Sequence, residues 1–283
     1  MKLLDNFKKC QIFTLFFLGL FLISFPTRLE GSSVDIPSRL TLTMVTYNIR
    51  RGEKGLEGIA KTLKKIDPDI VFLQEIHGPS YLPGWIDQAK QLSHQLHLNY
   101  AFGKARLWIS GEYGIATLSR FPILEKKVLL LPNLPGEEQE ALLILKVQTD
   151  LGPLILMNTH LFSTARQKGN KAGPLRHVQA QRIMKEILQQ EHPVIFGADL
   201  NVYANSKIKH LFSKHMVDVF KETGRGRGAT FPAKFPLARI DYLYIKGFFR
   251  LLDSRVYKSK ASDHRPVWGK VQWIKDPLQT KNN

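Results

Sequence analysis

Apolar and polar positions alternate over residues 40–49, with Leu40, Leu42 and Met44 on one side, which predicts a strand. Leu56, Ile59, Ala60 and Leu63 then recur at helical spacing, and Asp67-Pro68 predicts where that helix stops. Residues 69–74 read as a short apolar strand, and Trp85, Ala89, Leu92 and Leu96 mark a second amphipathic helix. Strand-like stretches follow at 113–119, 124–131, 141–149 and 153–159. Pro174 opens a third helix with Ala180, Ile183, Met184, Ile187 and Leu188 on one face. Further strands are expected at 194–197, 239–245, 249–257 and 266–273. Several strands succeed one another without a helix between them. The pattern therefore predicts an α/β fold with mixed or antiparallel sheets rather than a doubly wound parallel sheet. No repeat or low-complexity linker divides residues 40–273, which predicts one domain.

The ends differ from this body. Lys2, Lys8 and Lys9 precede an apolar run over residues 12–25 that is short for a membrane span. Residues 1–33 are expected to be a cleaved signal peptide or an uncleaved N-terminal anchor, and either places the domain outside the cytoplasm. Residues 34–275 form the expected domain and 276–283 a short tail. The single cysteine, Cys10, excludes an intramolecular disulfide and a cysteine-based zinc site. The 43% hydrophobic content excludes a disordered chain. Net charge is +17, and residues 34–273 keep +14 of it, so the basicity belongs to the body and suggests a phosphate-bearing partner.

Acids, amides and histidines fall at the ends of the expected strands. Asn48 closes the first and Glu75 the second; Asn158 and His160 close another. Asp199 and Asn201 follow 194–197, Asp241 sits within 239–245, and Asp263 and His264 precede the last strand. Taken singly, each fits a turn, a cap or a surface group. Asp241 is the exception: a carboxylate in an apolar run needs a partner, and Arg239 or a histidine is the expected one. Polar groups at several strand ends converge only if the strands share a sheet end, where they form one site on a rigid frame.

The ordered segments TYNIR, QE, NTH, GADLN, RIDY and SDHRP, with YGIATLSR at 113–120, resemble the endonuclease/exonuclease/phosphatase superfamily of DNase I-like phosphoesterases over residues 40–273. The resemblance implies a two-sheet α/β sandwich with helices outside, and a metal-dependent hydrolase acting on phosphoester bonds. It implies Glu75 as main metal ligand with Asn48 beside it, and Asp263 at the metal or bracing its loop. Asp199 would activate water, and Asn201 and Asn158 would bond the phosphate. His264, held by Asp241, would contact the phosphate, His160 would act as general acid, and Tyr113 would touch the phosphate. Glu112 is the expected partner of His160. A donor set of carboxylate and amide oxygens suits Mg²⁺ or Mn²⁺ better than Zn²⁺.

The substrate rests on loops. Residues 161–176 carry Arg166, Lys168, Lys171 and Arg176 without an acid; 224–228 carry Arg225 and Arg227; 103–111 carry Lys104, Arg106, Trp108 and Ile109. Cations beside an aromatic suit a nucleic-acid backbone with a stacked base, the slightly favoured partner. Trp108-Ile109 and Phe248-Phe249 equally suit a membrane surface and a sphingomyelinase-like role. An inactive binding protein is the remaining alternative. A monomer is expected.

Overall fold

The computed structural model describes residues 39–80, 86–109, 111–163 and 172–275. The expected export segment and the C-terminal tail lie outside the described residues. The elements run β1 (Arg39–Asn48), α1 (Leu56–Ile66), β2 (Ile70–Ser80), α2 (Gln88–Leu96), β3 (Asn99–Trp108), β4 (Gly111–Ser119), β5 (Ile123–Leu130), β6 (Ala141–Thr149), β7 (Gly152–His160), α3 (Ala172–Leu188), β8 (Val194–Asp199), α4 (Lys207–Ser213), β9 (Val217–Asp218), α5 (Val219–Thr223), β10 (Asp241–Lys246), β11 (Phe249–Val256) and β12 (Val267–Ile274). They form two six-stranded sheets, ordered β11-β12-β1-β2-β4-β3 and β5-β6-β7-β8-β10-β9.

Alternation along each strand builds the layers. On β1, Leu42 and Met44 join Phe72, Leu143, Leu156, Ile195 and Leu243 in the core between the sheets. The intervening Val45 and Tyr47 turn outward to Ile59, Leu63 and Leu92 of α1 and α2. The second sheet covers its outer face in the same way, with Met157, Phe196 and Tyr244 against Ala180, Ile183 and Ile187 of α3 and Phe212 of α4. Strands buried on both faces read as near-continuous apolar runs, as β7 and β8 do. α1 ends where expected: Asp67 takes a left-handed conformation at its C-cap and Pro68 follows. Among the described residues, no helix is long and apolar enough to cross a membrane.

Three local differences from the sequence pattern stand out. Residues 103–108, expected in a loop, belong to β3, which pairs with β4 from Asn99↔Ser119 to Trp108↔Gly111. β2 runs on to Ser80 through irregular pairing with β4. The short helices α4 and α5 carry too few periodic positions to register as patterns; each is set by a side-chain cap, Ser206 on Lys209 N–H and Asp218 on Lys221 N–H.

Two parallel pairs position the site. β1 pairs with β2 across α1, and β7 with β8 across α3. Each pair brings two C-terminal strand ends together, Asn48 beside Gln74 and His160 beside Asp199. β10 runs antiparallel to β8 and begins at the same end, with Asp241 opposite Asp199. The sheets are stitched there by Asn158. Its Nδ2 donates to Leu73 O (3.1 Å) and Ala116 O (2.8 Å), and its Oδ1 accepts from Gln74 Nε2 (2.8 Å). Both Nδ2 hydrogens are committed to backbone, so Asn158 holds the sheets in register and does not serve the phosphate as expected.

Candidate active site

Glu75 sits at an irregularity in the β2–β4 pairing, between Leu73 and Ile76, with φ +52°. The bulge turns its carboxylate out of the ladder and into the cleft. Seven described non-glycine residues have positive φ. Asp67 and His97 are helix C-caps. The other five are Arg50, Arg51, Glu75, Asn201 and Ile109, of which the first four line the cleft. Backbone held in this sparsely populated region concentrates where side chains must be aimed.

Asn48 ties the sheets' acids together. Its Nδ2 donates to Glu75 Oε1 (3.0 Å) and Asp199 Oδ2 (2.9 Å), while its Oδ1 accepts from Arg50 N–H (3.0 Å). In this geometry Asn48 is a donor bridging two carboxylates and not the oxygen ligand expected. Burial works against the charge of Glu75, but His160, the Asn48 bond and Arg51 together hold its carboxyl below the usual range.

The buried triad follows from β8, β10 and the loop before β12. Asp199, Asp241 and His264 bring ligand-type atoms within 4.8 Å of one another, a candidate metal cluster by composition. Its members satisfy each other. His264 Nδ1 donates to Asp241 (3.0 and 3.2 Å) and lies 3.7 Å from Asp199 Oδ2. Asp241's partner is thus the histidine; Arg239 pairs with Asp218 instead. Burial opposes the imidazolium, yet Asp241 and Asp199 raise the His264 pKa to about 9. Burial, and Asp241 beside it, push Asp199 up to about 6, against the pull of the two histidines.

His160 closes β7. Its Nδ1 lies 3.4 Å from Glu140 Oε2, and its Nε2 lies 3.7 Å from Asp199 and 4.0 Å from Glu75. Glu112, the expected partner, pairs with Lys104. Glu140 escaped the sequence reading because it looks like one acid of a surface run with Glu137 and Glu138. The signal was available in the register: folding β6 onto β7 about residues 150–151 sets Leu142 opposite Thr159 and brings Glu140 beside His160. Asn201 Nδ2 also meets His160 Nε2 (2.9 Å) and donates to Leu161 O (2.8 Å), so its amide nitrogen faces the histidine. That contact suits a neutral ring, whereas the carboxylates raise His160 to about 10 despite burial. Three carboxylates, Glu140, Asp199 and Glu75, surround the ring and favour its imidazolium form.

A cleft of about 670 Å³ opens over this cluster, lined by Glu75, His160, Asp199, Asn201 and His264 together with Arg50, Arg51, Tyr113 and Arg176. The Tyr113 ring is held between Arg106 (4.1 Å) and Trp108 (5.5 Å). Trp108 is half-buried and packs beside Tyr113, flanked also by Arg51 (5.6 Å). Asp263 pairs with Arg50 (2.6 Å) and accepts from Ser262 Oγ, bracing its loop outside the triad. Arg225 and Arg227 are exposed and do not line the cleft. Arg166, Lys168 and Lys171 lie outside the described residues.

The protein matches the Endonuclease/Exonuclease/phosphatase family model over residues 45–264. It is 26% identical over 263 residues to the uncharacterized protein YbhP of Escherichia coli (strain K12), covering 84% of this chain and 98% of that one. Its fold is similar to a mannosyl-6-phosphatase of Bacteroides thetaiotaomicron VPI-5482 (TM-score 0.67, 21% identity, 81% and 99% of the two chains). It is also similar to D. rerio TDP2 complexed with a single-strand DNA product (TM-score 0.64, 19% identity, 82% and 98%). The matched span begins within β1 and ends at His264, so it encloses both sheets' contributions to the cluster. The chain belongs to the endonuclease/exonuclease/phosphatase family, whose members hydrolyse phosphoesters and are generally divalent-metal dependent.

Proposed function

We propose that the protein is a Mg²⁺- or Mn²⁺-dependent phosphodiesterase whose cleft takes a phosphodiester presented by a lipid or another amphiphile. The reaction rests on one observation: Asp199, Asp241 and His264 converge within 4.8 Å at the floor of a cleft that Glu75 also lines. The donor chemistry fits a hard cation, being carboxylate oxygen without sulfur. Glu75 is the fitting ligand. Its side chain keeps 19% exposure while those of Asp199 and Asp241 keep 1% and 0%, so of these three Glu75 offers the open side to a hydrated ion and a phosphate. The metal would supply charge neutralisation at the phosphate. The chain's own residues do the rest. Asp199 orients the attacking water and takes its proton. His264, with Nδ1 committed to Asp241, donates from Nε2 to a phosphate oxygen. His160 carries the proton suited to a leaving oxygen.

Two features of the rim move the substrate away from a bare polynucleotide. The arginines at 225 and 227 do not line the cleft, and Trp108 packs beside Tyr113 without lining it. Nucleic acid is the second reading, favoured by Arg50, Arg51 and Arg176 in the cleft and by the likeness to TDP2. Residues 1–33, read as an export signal or anchor, would place this activity outside the cytoplasm, which cell fractionation tests. The reaction is tested with a soluble chromogenic phosphodiester. Hydrolysis should require Mg²⁺ or Mn²⁺ and stop in EDTA, and Asp199→Asn should cost about 10²–10⁴ in kcat while the fold remains intact. Full activity of that variant would overturn the assignment. A panel of DNA, RNA, sphingomyelin and phosphoinositides at low and high salt separates the two substrate readings.

A further inference from the structure

Large apolar side chains are exposed unevenly over the described surface. The five most exposed are Ile109 (85%), Leu237 (82%), Phe235 (69%), Tyr203 (67%) and Leu107 (63%). All five lie on segments that also contribute residues to the lining of the catalytic cleft. Leu107 and Ile109 stand at the tip of the β3–β4 hairpin, whose Tyr113 lines the cleft. Tyr203 lines it too, just beyond Asp199. Phe235 and Leu237 project from a hairpin closed by Phe231 and Ala238, both of which line the cleft. By contrast, Phe248, the apolar residue expected to meet a membrane, lies just past the far end of β10 from Asp241.

The 231–238 hairpin is held firmly. Leu237 and Ala238 N–H both donate to Phe231 O (2.9 Å), Ala233 N–H donates to Asp263 O (2.6 Å), and Arg265 Nε donates to Ala233 O (2.8 Å). Phe231 packs on the His264 ring at 4.8 Å. The exposed tip is thus built on the same loop that carries the catalytic imidazole. Charge completes the picture. Residues 200–217 contain Lys207, Lys209 and Lys214 and no acid, and residues 224–240 contain Arg225, Arg227, Lys234 and Arg239 and no acid; Lys209 and Arg239 pair with Asp218, and Lys207, Lys214, Arg225, Arg227 and Lys234 are exposed. Apolar side chains grouped beside one cleft, on segments of which two carry only positive charge, complement an anionic lipid surface.

We infer that this face docks on an anionic phospholipid bilayer, with the three loop tips seated among the headgroups and the cleft opened onto lipid-borne phosphodiesters. The last clause rests on the phosphodiesterase reading; the docking does not. The test uses the full chain with Cys10→Ser and Phe235→Cys, labelled at residue 235 with an environment-sensitive fluorophore. A second chain carries the label at Leu188→Cys, at the far end of α3 from the cleft. On vesicles of phosphatidylcholine with phosphatidylserine, emission at 235 should rise several-fold and shift to the blue, while that at 188 stays aqueous. Phosphatidylcholine alone should give less, since the basic loops add attraction only to anionic lipid. Phe235→Ser with Leu237→Ser should lower hydrolysis of a vesicle-borne phosphodiester about tenfold and leave a soluble diester unchanged, because only burial at the lipid surface is lost. A label at 235 that stays in water, equal responses at 235 and 188, or a response to single-stranded DNA in place of vesicles would overturn the inference. If the 235 label responds and the soluble diester is not hydrolysed, the docking surface stands and the catalytic reading falls.

Discussion

The cleft holds two buried imidazole–carboxylate pairs, one from each half of the chain's motifs. His264 and His160 are equally buried, at 5% exposure, and both are raised above the usual imidazole range. Their surroundings differ. His264 bonds both oxygens of Asp241 (3.0 and 3.2 Å), no arginine among the described residues pairs with Asp241, and Phe231 packs on the ring. His160 stands 3.4 Å from Glu140, which also faces Arg106 at 3.9 Å, and Asn201 meets its other nitrogen. An undivided carboxylate both orients and charges its histidine. The carboxylate shared with an arginine is one of three around His160, which together raise it to about 10, no less than the value of about 9 at His264. The first pair is built to keep a cation against a phosphate and the second to hold a proton donor in place.

The harshest way to break this comparison is to neutralise each acid in turn. Asp241→Asn should lower kcat on a soluble diester in Mg²⁺ by about 10²–10³, since His264 loses both its charge and its tautomer control. Glu140→Gln should cost about tenfold, because the amide oxygen still accepts from Nδ1. Steady-state kinetics with circular dichroism as the check on folding would settle it, and equal losses would erase the distinction.

A pH profile sharpens it further. Activity should rise as Asp199 loses its proton near pH 6 and fall as His264 loses its proton near 9. The sign follows from the direction of the shift. The His264 pKa is raised above its usual 6.5, so the favourable charge is fully held below 6.5 and is lost as pH rises through about 9. Asp241→Asn removes the largest influence raising His264, so the alkaline limb should move to lower pH. Glu140→Gln leaves Asp241 on His264, so the His264 titration should stay near 9 while that of His160, which loses the largest influence raising it, moves down from about 10. A profile in which only Glu140→Gln moves the alkaline limb would reverse the assigned roles.

The same contrast shows what the sequence could disclose. Asp241 and His264 sit in compact motifs, RIDY and SDHRP, and a carboxylate in an apolar strand announces that it needs a partner. The strands themselves were legible for a related reason, since strands buried on both faces leave apolar runs that are hard to mistake, while the two-sheet arrangement came from the resemblance carried by the motifs. Glu140 was not legible, because its role depends on the β6–β7 register and its neighbours Glu137 and Glu138 make it look like solvent-facing charge. Asn158 failed in the opposite direction. Its motif suggested phosphate, yet its amide is spent on Leu73 and Ala116 of the other sheet, a contact between strands far apart in sequence. The strand at 103–108 was hidden by Gly103 and by the basic residues at its end, which read as loop until β4 is there to pair with them.

The gentlest test asks whether the arginine really divides Glu140. Arg106 stacks over Tyr113 (4.1 Å) and Trp108 (5.3 Å), pairs with Glu138 (2.9 Å) and reaches Glu140 at 3.9 Å. Arg106→Lys keeps the charge and loses the planar stacking, so it loosens the guanidinium's hold on Glu140 and leaves the carboxylate more fully to His160. The predicted change in kcat is small, about two- to fivefold, in keeping with a partly exposed cation–π contact of about 0.5–1 kcal/mol. The telling readout is the pair itself. The Nδ1 proton of His160 should move downfield in NMR as Glu140 closes on it, while the His264 resonance, served by an undivided Asp241, should not move. If both resonances shift together, the two pairs act as one coupled unit and the difference in their surroundings is without consequence.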